Sequence, residues 1–278
     1  MSRRCTLLPS LLLSSLLLSS LLLSALLFAP IAWADTSPDC NCDDAAQKEA
    51  ASPWSGGGEL GFAATHGNSI NESLNGRLHL QYTAGEWAHA MDLFGLRSSA
   101  EYRVEDEDGT MTRERKTTAN RYTVGANSAL KLGEHRQFTT ALRYERDDFA
   151  SYSSQATASL GYGARVMDGE RTRLDVQVGP GLRRAHNVEE GRTDSGLIGR
   201  GFIGLKFDLT ENTELENTLL VESGVYNTFA QNDLGISVAM NEHLALKAGL
   251  QARRNSDVNT EQKKTDTLTT MNVVYRFK

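Results

Sequence analysis

From Gly57 onward the chain alternates apolar and polar residues almost without a break, and few folds accept that pattern. The last segment shows it most clearly. Between Thr265 and Phe277, one face carries Thr267, Thr269, Met271, Val273, Tyr275 and Phe277, and the other carries Leu268, Thr270, Asn272, Val274 and Arg276. Successive side chains of a β-strand point to opposite faces, so the segment reads as a strand between an apolar and a polar surrounding. Pro180 is the only proline after Gly57, as expected where every backbone N–H is needed in a ladder.

The same alternation sorts the rest of the chain. Apolar sets such as Leu60, Phe62 and Ala64, or Leu174, Val176 and Val178, recur along eleven segments. A further strand falls near Trp87 to Tyr102, but its phase is not fixed by the pattern, and the count reaches twelve. The opposite faces gather Arg77, Arg143, Arg165, Arg173, Asp175, Asp208, Glu214, Glu216, Lys247 and Arg253. A water-soluble sandwich or lipocalin-like barrel would then expose every apolar stripe, against the rule that large apolar patches stay covered. Lipid outside and a polar lumen inside satisfy both faces. The expected fold is therefore all-β, an antiparallel transmembrane β-barrel of twelve strands over residues 54–278. A mean hydropathy of −0.39 is compatible, because only alternate residues face lipid.

The N-terminal end predicts export. Arg3 and Arg4 precede an apolar, serine-punctuated run from Leu7 to Phe28, and Ala32-Trp33-Ala34 offers a signal-peptidase site. Residues 1–34 are read as a signal peptide, with a mature start at Asp35; an uncleaved helical anchor is the alternative. Removing them takes two arginines and no acids, so the basic count falls from 29 to 27 against 35 acids, a net charge of −8. No basic patch with interleaved aromatics stands against that balance, so nucleic acid is not an expected partner. Residues 35–53 read as a polar periplasmic segment containing Cys40 and Cys42. The two cysteines are expected as tail thiols or a disulfide, since a metal site needs three or four placed ligands. No metal or cofactor is predicted.

Tight connections occur near Gly85, Gly133, Gly169, Glu211 and Glu242, and longer polar stretches, including Arg103 to Lys116, Arg184 to Ser195 and Arg254 to Lys264, fall between them. That alternation predicts both chain ends and the five tight turns on the periplasmic side of an outer membrane. The acidic and basic halves of the stretch around Glu105 and Arg113 are read as a solvated outer loop, or as a contact to lipopolysaccharide phosphates.

Trp54-Ser55-Gly56, Gly67-Asn68-Ser69, Asp147, Phe149, Gly161-Tyr162-Gly163, Gly179-Pro180-Gly181, Lys264-Thr265-Asp266-Thr267 and Tyr275-Arg276-Phe277 together resemble the DUF481 family of salt-induced outer-membrane proteins. The likeness runs from Trp54 to Phe277. It implies an outer-membrane location and carries no established activity or catalytic residues. Tyr275 and Phe277 resemble the terminal aromatic signal read by the barrel assembly machinery, although Lys278 follows them.

The expected lumen residues are Arg143, Arg165, Arg173, Asp175, Lys206, Asp208 and Glu216, with Gly161, Gly163, Gly179 and Gly181 along one wall. Near-balanced charges favour a braced, largely plugged interior and a structural or envelope stress-related role. A narrow channel for small solutes or ions is the alternative. The glycines either hollow one wall or allow close strand packing, with Pro180 marking a bulge. Only His89 and Ser128 suggest lipid hydrolysis, and no carboxylate is evident to orient that base, so no enzyme is predicted. Partners are outer-membrane lipid and lipopolysaccharide; the oligomeric state is left open.

Overall fold

The computed structural model describes residues 52–65, 70–105, 109–258 and 263–277. The expected signal peptide, most of the polar segment with Cys40 and Cys42, and Lys278 lie outside the described residues. The strands are β1 (Trp54–Thr65), β2 (Ile70–Ala84), β3 (Trp87–Glu105), β4 (Met111–Lys131), β5 (Arg136–Asp147) and β6 (Tyr152–Asp168). They continue as β7 (Thr172–Asn187), β8 (Arg192–Asp208), β9 (Thr213–Gly224), β10 (Thr228–Ala239), β11 (Leu244–Asn255) and β12 (Thr265–Phe277). Each pairs antiparallel with its neighbour in sequence, and β1 pairs with β12, so the sheet is a closed twelve-strand barrel.

The two faces behave as alternation requires. Leu60, Phe62, Leu142, Leu160, Val178, Leu182, Leu246 and Met271 stand exposed on the outer face. Glu145, Thr157, Ser159, Arg183, Glu222, Gln251 and Arg253 lie buried inside. The core of this protein is thus polar, and its apolar surface is the outside. At the end bearing the tight turns, Trp54 packs on Tyr82 at 4.8 Å between ring centroids, and Tyr82 and Trp87 flank His89 at 6.4 and 5.8 Å. These rings form one aromatic patch on the outer face of β1, β2 and β3.

Neighbouring strands settle the phase of β3. Arg77 faces Phe94 from β2 and Thr123 faces it from β4, which turns Asp92, Phe94 and Leu96 inward and leaves Trp87, His89 and Met91 outside.

The contrast between short turns and long loops is weaker than the sequence suggests. Strand β3 continues to Glu105 and β4 starts at Met111, so most of the stretch Arg103 to Lys116 is ladder. The stretch from Arg184 to Ser195 is likewise strand up to Asn187 and again from Arg192. Charged residues sustain these extensions because opposite signs face each other, as where Arg115 pairs with Glu101 at 3.2 Å across the ladder and with Glu72 at 3.2 Å. At that end the widest interval between successive strands is the one from Asn255, where β11 stops, to Thr265, where β12 starts.

The β1–β12 seam is the shortest ladder, running from Gly56 opposite Phe277 to Leu60 opposite Val273. It ends at Gly61, where an added Cβ would lie 2.1 Å from Asn272 Oδ1 and 2.5 Å from Asn75 Nδ2. Asn75 donates to the Gly61 carbonyl at 3.4 Å and Asn272 to Glu59 at 3.1 Å. Only a residue without a side chain fits between those two amides.

Candidate functional site: the lumen

Inward residues from eight strands, β4 to β11, meet in the half of the lumen away from the tight turns. Arg143 on β5 donates to Glu222 on β9 at 2.5 Å and to Glu145 at 3.2 Å. Arg253 on β11 reaches back to Glu145 and, at 3.1 Å, to Asp147. Strands β5 and β11 are six apart in a ring of twelve, so this contact joins opposite walls. Arg121 on β4 donates to Gln251 on β11 at 2.5 Å, and Gln251 in turn donates to Asp233 on β10 at 2.6 Å.

Phe229 anchors the cluster. It is fully buried, and the guanidinium carbons of Arg143 and Arg253 lie 4.8 and 5.3 Å from its ring centre. A cation over an aromatic face is attracted by the ring quadrupole, most strongly away from water. Glu222 is also fully buried and receives Arg143, Thr157 at 3.4 Å and, more distantly, Arg200 at 4.0 Å. Next to them Arg183 donates to the carbonyls of Glu222 and Asn227, and Tyr152 donates to Asp257 at 2.8 Å.

The residues expected from sequence occupy this lumen unevenly. Arg143 sits at the centre of the cluster. Arg165 bonds Asp175 at 3.1 Å and Asp168 at 3.2 Å near the β6–β7 turn, with its side chain a third exposed. Lys206 bonds Glu216 at 2.7 Å, and Glu216 also receives Lys247 at 3.2 Å, which bridges to Glu59 at 2.8 Å. Arg173 and Asp208 are exposed at the turn end and join no ion pair among the described residues.

Gly161, Gly163, Gly179 and Gly181 all face inward, where β6 and β7 approach closely. A Cβ on Gly179 would fall 1.9 Å from the Leu160 carbonyl oxygen, so the wall is tight rather than hollow there. The β6–β7 register is the same on either side of Pro180, although pairing lapses there between Ser159–Gly181 and Tyr162–Val178; the register shifts come between Tyr152 and Ser154 and between Arg165 and Met167.

Glu145, Glu222, Arg121 and Phe229 were not singled out by sequence reasoning. Their signal was their inward phase. A carboxylate or aromatic on the polar face of a barrel strand is a lumen residue, but the strand alone does not say what it meets. His89 and Ser128 are direct cross-strand partners on the outer face. The imidazole packs between Tyr82 and Trp87, and no hydrogen bond orients it among the described residues. Tyr275 stacks on His243 at 5.9 Å, and the Phe277 ring lies over Gly56, where a Cβ would approach it to 2.9 Å.

The chain matches, over residues 58–277, the family described as "Protein of unknown function, DUF481". It is 23% identical over 245 residues to the uncharacterized protein YdiY of Escherichia coli (strain K12), covering 88% of this chain and 90% of the relative. Among solved structures, the NanC porin is similar with a TM-score of 0.47 at 10% identity, covering 81% of this chain and 99% of its own. The translocator domain of the autotransporter NalP from Neisseria meningitidis gives a TM-score of 0.44 at 13% identity, over 81% and 87% of the two chains. The fold class rests on the closed ladder itself.

Proposed function

Because the chain belongs to the DUF481 family and closes into a twelve-strand barrel with an apolar exterior, we propose that it is an outer-membrane protein with a largely plugged lumen and a structural or envelope stress-related role. The observation that carries this reading is the Arg253–Glu145 ion pair between opposite walls, reinforced by Arg143–Glu222 and Arg121–Gln251. Matched charges linked across a pore fill it. Selective channels instead present rings of one sign that an ion can pass. The terminal aromatics Tyr275 and Phe277 fit recognition by the barrel assembly machinery, and the outer face fits lipid and lipopolysaccharide.

Planar-bilayer recording tests the plug: the wild type is expected to show no steady conductance. A steadily conducting wild type rejects the reading and promotes the narrow channel. In that case Arg165→Glu or Lys206→Glu should shift the cation-to-anion preference. Orientation is tested by single cysteines in a background lacking Cys40 and Cys42. Thr110→Cys should react with an impermeant reagent on intact cells, and Glu170→Cys should not.

A further inference from the structure

Beneath the cross-lumen cluster lies a cavity of about 270 Å³ that the plugged-barrel reading does not use. On its turn side it is lined by Asp92, whose side chain is about half exposed and pairs with the half-exposed His79. Four carboxylates face it, and each is engaged. Glu145 and Glu222 belong to the arginine cluster, Asp92 bonds His79 at 2.8 Å, and Asp233 accepts from Gln231 at 2.7 Å and from Gln251 at 2.6 Å.

Two arginines on the same cavity are not matched in this way. Arg77 forms no hydrogen bond or ion pair among the described residues. Arg121 is 7% exposed and has one bond, to the Gln251 amide. Their guanidinium carbons lie 5.5 and 5.0 Å from the Phe94 ring centre, so both are held at one place on the wall. A guanidinium offers five donors in a fork suited to a carboxylate, and a buried one with most donors idle is a poor resting arrangement. Phe94, Phe202 and Leu220 add apolar surface to the same cavity.

We propose that this cavity binds a small organic monocarboxylate with a flat or apolar body, entering from the turn end and held by Arg77 and Arg121. The size points to a small molecule, since ligand pockets usually span roughly 300 to 1,000 Å³. The four engaged carboxylates argue for a single charge, because a dianion would meet more repulsion at close range. Binding here is independent of conduction, so the outcome of bilayer recording does not decide it.

The test is calorimetric titration of the folded, detergent-solubilised chain with benzoate, beside benzamide as its uncharged analogue and inorganic phosphate. Saturable one-to-one benzoate binding is expected, weakened at least about tenfold in R77Q and R121Q and for benzamide. Absence of saturable benzoate binding by the wild type overturns the proposal. So does unchanged affinity in R77Q, or phosphate binding as tight as benzoate. If R121Q fails to show heat-modifiable folded protein, R77Q carries the test, because Arg77 has no ion pair among the described residues whose loss would unfold the barrel.

Discussion

The two halves of the lumen draw on the same residue types and use them differently. Away from the turns, Arg143, Arg253, Glu145 and Glu222 are nearly free of solvent and share every charge with a partner. Toward the turns, Lys206 and Arg165 form comparable pairs, yet their side chains remain 53% and 33% exposed. Burial, more than pair geometry, sets what a pair is worth. Removing one member of a buried pair strands a charge in a poor solvent, whereas water replaces the lost partner of an exposed one. The closed half therefore behaves as structure, and the cavity that borders it has room for ligand chemistry.

The largest expected break in that contrast is Glu222→Ala, which takes one of two carboxylates from Arg143 and, among the described residues, the ion-pair partner of Arg200. It should cost about 3 to 5 kcal/mol in urea titrations of the detergent- or lipid-embedded barrel. Near-wild-type stability would mean that the cluster is wetter than its burial indicates. Gly179→Val comes next. Its side chain would run into the Leu160 carbonyl, and overpacking of this kind should cost about 1 to 3 kcal/mol. Gly199→Ala on the adjacent β8, where an added Cβ meets nothing within 4 Å, should stay within about 0.5 kcal/mol. Equal effects of the two would remove the tight-wall account.

A smaller and different effect is expected of Phe277→Ala. It should lower the yield of heat-modifiable folded barrel in the outer membrane, with deletion of Lys278 neutral or helpful. Normal yield for Phe277→Ala would place the assembly signal elsewhere. The smallest effect belongs to Lys206→Ala. Glu216 keeps Lys247, and an exposed pair contributes only about 0 to 1 kcal/mol, so its urea midpoint should nearly match the wild type. A loss as large as that of Glu222→Ala would erase the distinction between the two halves.

How much of this was legible beforehand depends on the range of the forces involved. Period two is a local property of the extended backbone, so Leu60, Leu142 or Met271 could be assigned to the outer face, and strands counted, from neighbours alone. The third strand resisted, because small and mixed residues such as Ala88, Ala90 and Gly95 carry little hydrophobic contrast. Its phase emerged only through β2 and β4. The extent of the strands was also misjudged beyond the apolar band, since cross-strand charge pairs such as Glu101–Arg115 sustain a ladder in residues that read as loop.

The sequence by itself determined the barrel, its strand number and, on every strand but the third, which residues point inward, because alternation, scarce proline and an apolar exterior leave no other way to satisfy both faces. Only the tertiary structure decided which inward residues meet. Arg143 and Glu222 lie 79 residues apart, Glu145 and Arg253 lie 108, and Arg121 and Gln251 lie 130. Contacts across a lumen depend on ring closure and stagger of the whole sheet, and no stretch of sequence encodes those on its own.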